Sequence, residues 1–189
     1  MKRPRLSRAL WVVLVAAAGC TGVTPLPGPE ASREQVEVTI ESGKPVPTEK
    51  YLLAEIAHFD NQTGGVVTDG FDEAMARRVA DRLMIDGYFR SVETRPVLEN
   101  EGELGPTLQI RGSVLLYEPV PKTDRMQLVL LLRISRRGEE SDLVMGLLRV
   151  TLPKGSKLDT ENLQAFDAVG YGIEALLIPP TRRPGGSPA

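Results

Sequence analysis

The sequence predicts an α+β fold: one mixed, mostly antiparallel sheet with two helices packed on one face. Three observations carry that reading. Residues 108–116 and 126–135 alternate apolar and polar side chains at the two-residue period of half-buried strands, and 143–152 is a third apolar run. Residues 71–86 and 160–178 repeat apolar side chains at helical spacing. A strand layer with two one-sided helices buries both stripes most simply as a two-layer sandwich.

Taken in order, Val36, Val38 and Ile40 alternate with Glu37 and Thr39, which predicts a short strand. After a Gly-Lys-Pro-Val-Pro turn, Tyr51 to Phe59 is apolar on both faces and reads as a central strand. It closes in Asp60-Asn61-Gln62-Thr63-Gly64-Gly65, strong turn chemistry. The first helix carries Phe71, Met75, Val79 and Leu83 on one stripe, widened by Ala76, Ala80 and Met84. Asp69 or Thr68 is placed to cap it, and Gly87 to stop it in the left-handed conformation. Phe89 to Thr94 predicts a short strand, and residues 95–107 a polar loop.

Leu108, Ile110, Val114 and Leu116 then share one face against Gln109, Arg111 and Ser113. Met126, Leu128, Leu130, Leu132 and Ile134 do the same in the next strand. The turn Arg136-Arg137-Gly138-Glu139-Glu140 joins it to 143–152 as a hairpin, and its charges read as a solvated tip. The last helix has Leu163, Phe166, Val169, Ile173 and Leu177 on one side. Asp159 or Thr160 caps it and Pro179-Pro180 ends it. Gly170 and Gly172 each weaken its middle by about 1 kcal/mol against Ala, so a kink or close packing is expected there.

Upstream of this domain, Lys2, Arg3, Arg5 and Arg8 precede an apolar run, and small residues lead into Cys20, the chain's single cysteine. That order is a secretory leader. Its apolar core is too short for a bilayer span of ~20 residues. The stretch Leu14-Val-Ala-Ala-Ala-Gly-Cys20 resembles the lipobox of bacterial lipoproteins. The resemblance implies cleavage before Cys20, acylation of its thiol and new amino terminus, and three fatty chains. One acyl chain holds a protein at a membrane only marginally, so three imply lasting attachment. Thr21, in place of the aspartate that retains enterobacterial lipoproteins at the inner membrane, points to the outer membrane, facing the periplasm. The expected organisation is a leader at 1–19, lipidated Cys20 with a Pro/Gly-rich tether to 34, a periplasmic α+β domain at 35–178, and a disordered tail at 179–189.

Composition narrows the chemistry. Loss of the leader's four basic residues takes the net charge from −2 to −6, against a nucleic-acid footprint. With Cys20 committed to lipid, no thiol remains for catalysis, a disulfide or a metal. His58 is the single histidine, inside an apolar strand, and reads as structural. No G-x-S-x-G or P-loop pattern is present. Paired carboxylates can hydrolyse glycans without histidine, and Asp69, Asp72, Glu99, Glu101 and Glu103 are the available acids. Helix capping and a solvated loop account for them more simply. The reading is therefore non-enzymatic, with no catalytic, cofactor-binding or metal residues.

One feature hints at binding. Val129 and Leu131 lie on the second face of 126–135, and Val144, Leu148 and Val150 are assigned to the same face of 143–152. If helices cover one face only, this apolar surface needs another cover. A partner, Tyr51, the 21–50 segment and the last helix all remain open as that cover.

The stretch 51–93 also carries a resemblance. A strand ending Phe-Asp-Asn-Gln-Thr-Gly (59–64), then a helix closing Asp-Gly-Tyr-Phe-Arg-Ser-Val-Glu (86–93), is similar to penicillin-binding-protein activator lipoproteins and to the periplasmic domain of the curli-secretion lipoprotein. Leu108-Gln-Ile-Arg-Gly-Ser-Val (108–114) fits the same pattern. Lipopolysaccharide-assembly lipoproteins and auxiliary lipoproteins of lipid-transporting ABC systems share the outline. The resemblance implies a partner-binding accessory in envelope assembly or transport. A lipid-binding component and a carboxylate-dependent glycan hydrolase are the alternatives. The expected partners are outer-membrane lipid, through Cys20, and another envelope protein; homo-oligomerisation is left open.

Overall fold

The computed structural model describes residues 35–57, 59–94 and 106–180. Cys20, the tether, His58, the loop acids Glu99, Glu101 and Glu103, and the tail beyond 180 lie outside the described residues. The chain is α+β and strand-dominated. Its elements are β1 (Val36–Gly43), β2 (Val46–Pro47), a 3-10 turn at Thr48–Lys50, β3 (Leu53–Ile56), β4 (Asp60–Asn61), α1 (Phe71–Ile85), β5 (Ser91–Glu93), β6 (Thr107–Pro119), β7 (Arg125–Arg136), β8 (Asp142–Pro153), α2 (Leu163–Ala175) and β9 (Leu177–Ile178).

Seven strands make a mixed sheet in the order β1-β8-β7-β6-β3-β5, with β4 beside β6. The long strands β6, β7 and β8, and β1 beside them, pair antiparallel. The short strands β3, β4 and β5 join in parallel. β3 lies between β6 and β5, inside the sheet but close to its edge. β2 and β9 form a separate parallel pair, which no alternation in the sequence announces.

A single buried cluster joins the helices to the strands. From α1 it takes Phe71, Met75, Ala76, Val79, Ala80 and Leu83; Met84 and Ile85 stay exposed. Phe71 meets Phe166 of α2 with ring centroids 5.3 Å apart. Leu128, Leu130, Leu132, Ile134, Val144, Leu148, Val150 and Leu152 are fully buried in the same cluster.

The helix ends differ from the sequence expectation. Gly70, with φ +81°, occupies the α1 N-cap in place of the expected Asp69 or Thr68, with no side-chain cap; the Thr68 hydroxyl donates to Leu158 O. Gly87 is left-handed, as expected. α2 begins later, capped by Asn162, whose side chain accepts from Ala165 N. It ends at Ala175, because the chain turns extended there to pair with β2.

The glycines of α2 mark close packing. A Cβ at Gly172 would lie 2.6 Å from Leu148 Cδ2, and one at Gly170 would lie 2.7 Å from Arg82 Cδ. Arg82 crosses that gap, stacked 3.8 Å from the Tyr171 ring centre and paired with Glu174. Burial alone would depress its charge, but Glu174 and Tyr171 outweigh it and hold the pKa above the usual guanidinium value. Arg78 Nε binds the buried Asp167 carboxylate at 3.0 Å one turn earlier. The seam between helices is thus apolar at Phe71 and Phe166 and carries largely buried carboxylates, Asp167 and Glu174, paired with Arg78 and Arg82.

Candidate functional site

Parity divides each long strand into two faces. In an antiparallel ladder, residues directly opposite share a face. Val150 stands opposite Leu128, Leu148 opposite Leu130, and Val144 opposite Ile134. All three are therefore core residues, 0% exposed, and the assignment of Val144, Leu148 and Val150 to a partner surface is corrected. The polar residues Arg149 and Thr151 carry the signal that fixes this phase, since they must take the opposite parity.

The second face is built instead from Val129 and Leu131 of β7, facing Arg149 and Leu147 of β8. Val129 is only 8% exposed, yet it stands outside the main core cluster. Leu131, Met145 and Leu147 are half-buried. Leu116 joins them: the ladder shifts between Val114 and Leu116, which places Leu116 opposite Val129. The sequence expectation put Leu116 on the core side, and the bulge reverses it.

Toward the hairpin this face becomes polar. Arg111 Nη2 lies 3.2 Å from Asp142 Oδ1, and Arg133 Nε 4.0 Å from its other oxygen. Glu55 is 2% exposed, and Arg137 Nε approaches its Oε2 at 3.4 Å. That oxygen makes no hydrogen bond among the described residues, so the ion pair is its compensation.

Beyond this end lies an open cleft of about 610 Å³, lined by Lys50, Tyr51, Pro106, Thr107, Arg136, Arg137 and Glu139. Tyr51 is 5% exposed, and its hydroxyl accepts from Arg136 Nε at 3.0 Å. Arg136 Nη1 meets Glu139 Oε1 at 3.2 Å. The Tyr51 hydrogen bond, then Glu139, raise the Arg136 pKa above the usual guanidinium value. The sequence reading treated this hairpin tip as solvated charge and missed Lys50 and Tyr51. Nothing local links residue 50 to residue 136; the sheet brings them together.

Of the acids weighed for glycan hydrolysis, Asp69 and Asp72 line a smaller cleft of about 240 Å³ at the start of α1, with Asn61, Thr68 and Phe71. Asp69 is exposed and Asp72 half-buried. Among the described residues no group of three or more His, Cys, Asp or Glu could hold a metal ion. Among them, too, no helix is long and apolar enough to cross a membrane.

No family model and no curated protein matches the chain. Solved structures do. The PelC dodecamer from Paraburkholderia phytofirmans, in two crystal forms, matches at 14% and 12% identity with TM-scores of 0.48 and 0.49. Each match covers 73% of this chain, and 95% and 96% of the respective PelC chain. A neuraminyllactose-binding hemagglutinin homolog from Helicobacter pylori matches at 12% identity and TM-score 0.34, covering 77% of this chain and 87% of its own. None of these is a penicillin-binding-protein activator or curli lipoprotein. At such identities and scores the likeness carries no argument about function or assembly.

Proposed function

We propose that the chain is a lipid-anchored envelope lipoprotein whose α+β domain binds another envelope component without catalysing a reaction. The observation that carries this reading is the leader ending Leu14-Val-Ala-Ala-Ala-Gly-Cys20. Basic head, short apolar core and small residues before a lone cysteine are what lipoprotein processing requires. Acylation at Cys20 confines the domain to the outer-membrane surface, on the periplasmic side, and raises its effective concentration toward an anchored partner.

In this reading both helices cover the face of the sheet that carries Leu130 and Leu148. The opposite face, with the half-buried Leu131, Met145 and Leu147, is offered to the partner. A contiguous apolar patch rimmed by charge, here Arg133 and Arg149, is the usual mark of such a surface.

The test is intact-mass spectrometry of the mature protein from its native host. Three fatty chains on residue 20, and loss of the protein from membranes in Cys20→Ser, are expected. An unmodified thiol in freely soluble material contradicts the proposal.

A further inference from the structure

We propose that the cleft at the hairpin end of the sheet binds a phosphate monoester carried by a soluble molecule. The cleft is a local reversal of charge. The whole chain is acidic, at −2, yet among the described residues Lys50, Arg136 and Arg137 line this cavity against Glu139 alone. Counting the buried Glu55 behind Arg137 still leaves the balance positive. Glu49 sits in the same turn as Lys50 but does not line the cavity.

The donors are also arranged for an oxyanion. They come from three sides: Lys50 and Tyr51 from the 3-10 turn and its exit, Thr107 from the start of β6, and Arg136 and Arg137 from the end of β7. The backbone fixes these sides against one another: β3, which follows the turn, pairs Leu53 with Thr107, and Arg137 N donates to Thr107 O at 2.9 Å. Tyr51 already accepts from Arg136 Nε, so its own proton is directed elsewhere and can serve a ligand oxygen. Lys50 has no ion pair among the described residues. Donors converging from three directions suit a tetrahedral phosphate better than a planar carboxylate, which one guanidinium fork satisfies. A cavity of about 610 Å³ exceeds what inorganic phosphate fills and falls in the range of small organic ligands.

The fold also separates the cleft from the anchor side. Val36, where the tether would enter, stands opposite Val150, while β8 begins at the hairpin at Asp142. Eight residues at ~3.3 Å each put the cleft about 25 Å from the tether's entry, at the other end of the sheet. This favours a soluble phosphate over the headgroups of the protein's own membrane. That orientation rests on the proposed anchor; the affinity of the cleft does not.

The experiment uses the full chain in detergent, titrated by calorimetry with glucose 6-phosphate, with glucose, and with phosphatidylglycerol vesicles. Saturable binding of glucose 6-phosphate, and none of glucose, is expected. Tyr51→Phe should weaken binding several-fold. Lys50→Gln with Arg136→Gln should weaken it at least tenfold, with Arg125→Gln at the far end of β7 as an unaffected control. Thermal unfolding checks that each variant folds. Arg137 is left intact because its removal strands the buried Glu55 charge. No binding of glucose 6-phosphate, binding indifferent to the Lys50/Arg136 pair, or binding to vesicles alone would each overturn the proposal. None of these outcomes bears on the mass of residue 20.

Discussion

The two faces of β7 differ by a single residue step and by nearly everything else. Leu128, Leu130, Leu132 and Ile134 are 0% exposed and belong to the common core. Gln127, Val129, Leu131 and Arg133 alternate with them on a face where the apolar side chains stand outside that core and charge begins within two residues. The comparison teaches that apolar content alone does not mark an interface: the same strand holds leucines for folding and leucines in excess of it. Parity and register decide which is which.

The largest effect that would break this contrast is on stability. Leu130→Ala removes a fully buried side chain and should cost about 2–5 kcal/mol in chemical denaturation. Leu131→Ala, on the half-buried face, should cost well under half as much. Equal losses would mean that the second face is itself core. Next, Gly172→Ala drives a methyl into Leu148 and should destabilise by about 1–3 kcal/mol despite better helix propensity. Gly170→Ala meets only the movable Arg82 side chain and should cost less, so reversal of that order would misplace α2 against β8.

Smaller again is the difference between Leu131→Asp and Leu131→Ala. A charge on the half-buried second face should cost about 1 kcal/mol beyond the alanine variant, measured by thermal unfolding. The smallest effect sharpens where the inner face ends. Tyr117 lies at its rim, opposite Leu128, with its hydroxyl donating to Ser156 O. Burial raises its pKa above the usual 10.0. The unfolded chain therefore loses the tyrosine proton first, and stability should fall as pH climbs from the ordinary value toward the raised one. Tyr117→Phe should shrink that alkaline loss, and an unchanged pH profile would show the rim to be open.

Much of this architecture was legible in the sequence. The α1 stripe from Phe71 to Leu83, the β7 alternation and the strand-rich α+β class follow from periodicity, because each buries one side only. The phase of β8 was not read correctly, since apolar residues on both parities conceal which set faces the core; Arg149 and Thr151 held the answer. The bulge before Leu116 leaves no mark in a simple alternation. The α2 cap, Asn162, lies two to three residues beyond Asp159 and Thr160, where the helix start was expected. The basic cleft joins residues more than eighty positions apart, and only the β3–β6–β7 pairing makes them neighbours.

The most direct test of the second face as a partner surface is site-specific photo-crosslinking in intact cells, with the probe placed at Leu131 in one strain and at Gln127, near the rim of the same face, in another. A discrete adduct with one envelope protein, strong at 131, weaker at 127 and abolished by Leu147→Asp in a variant that still unfolds cooperatively, is the expected result. No adduct from 131 in membranes that retain the protein, or one indifferent to Leu147→Asp, would contradict it.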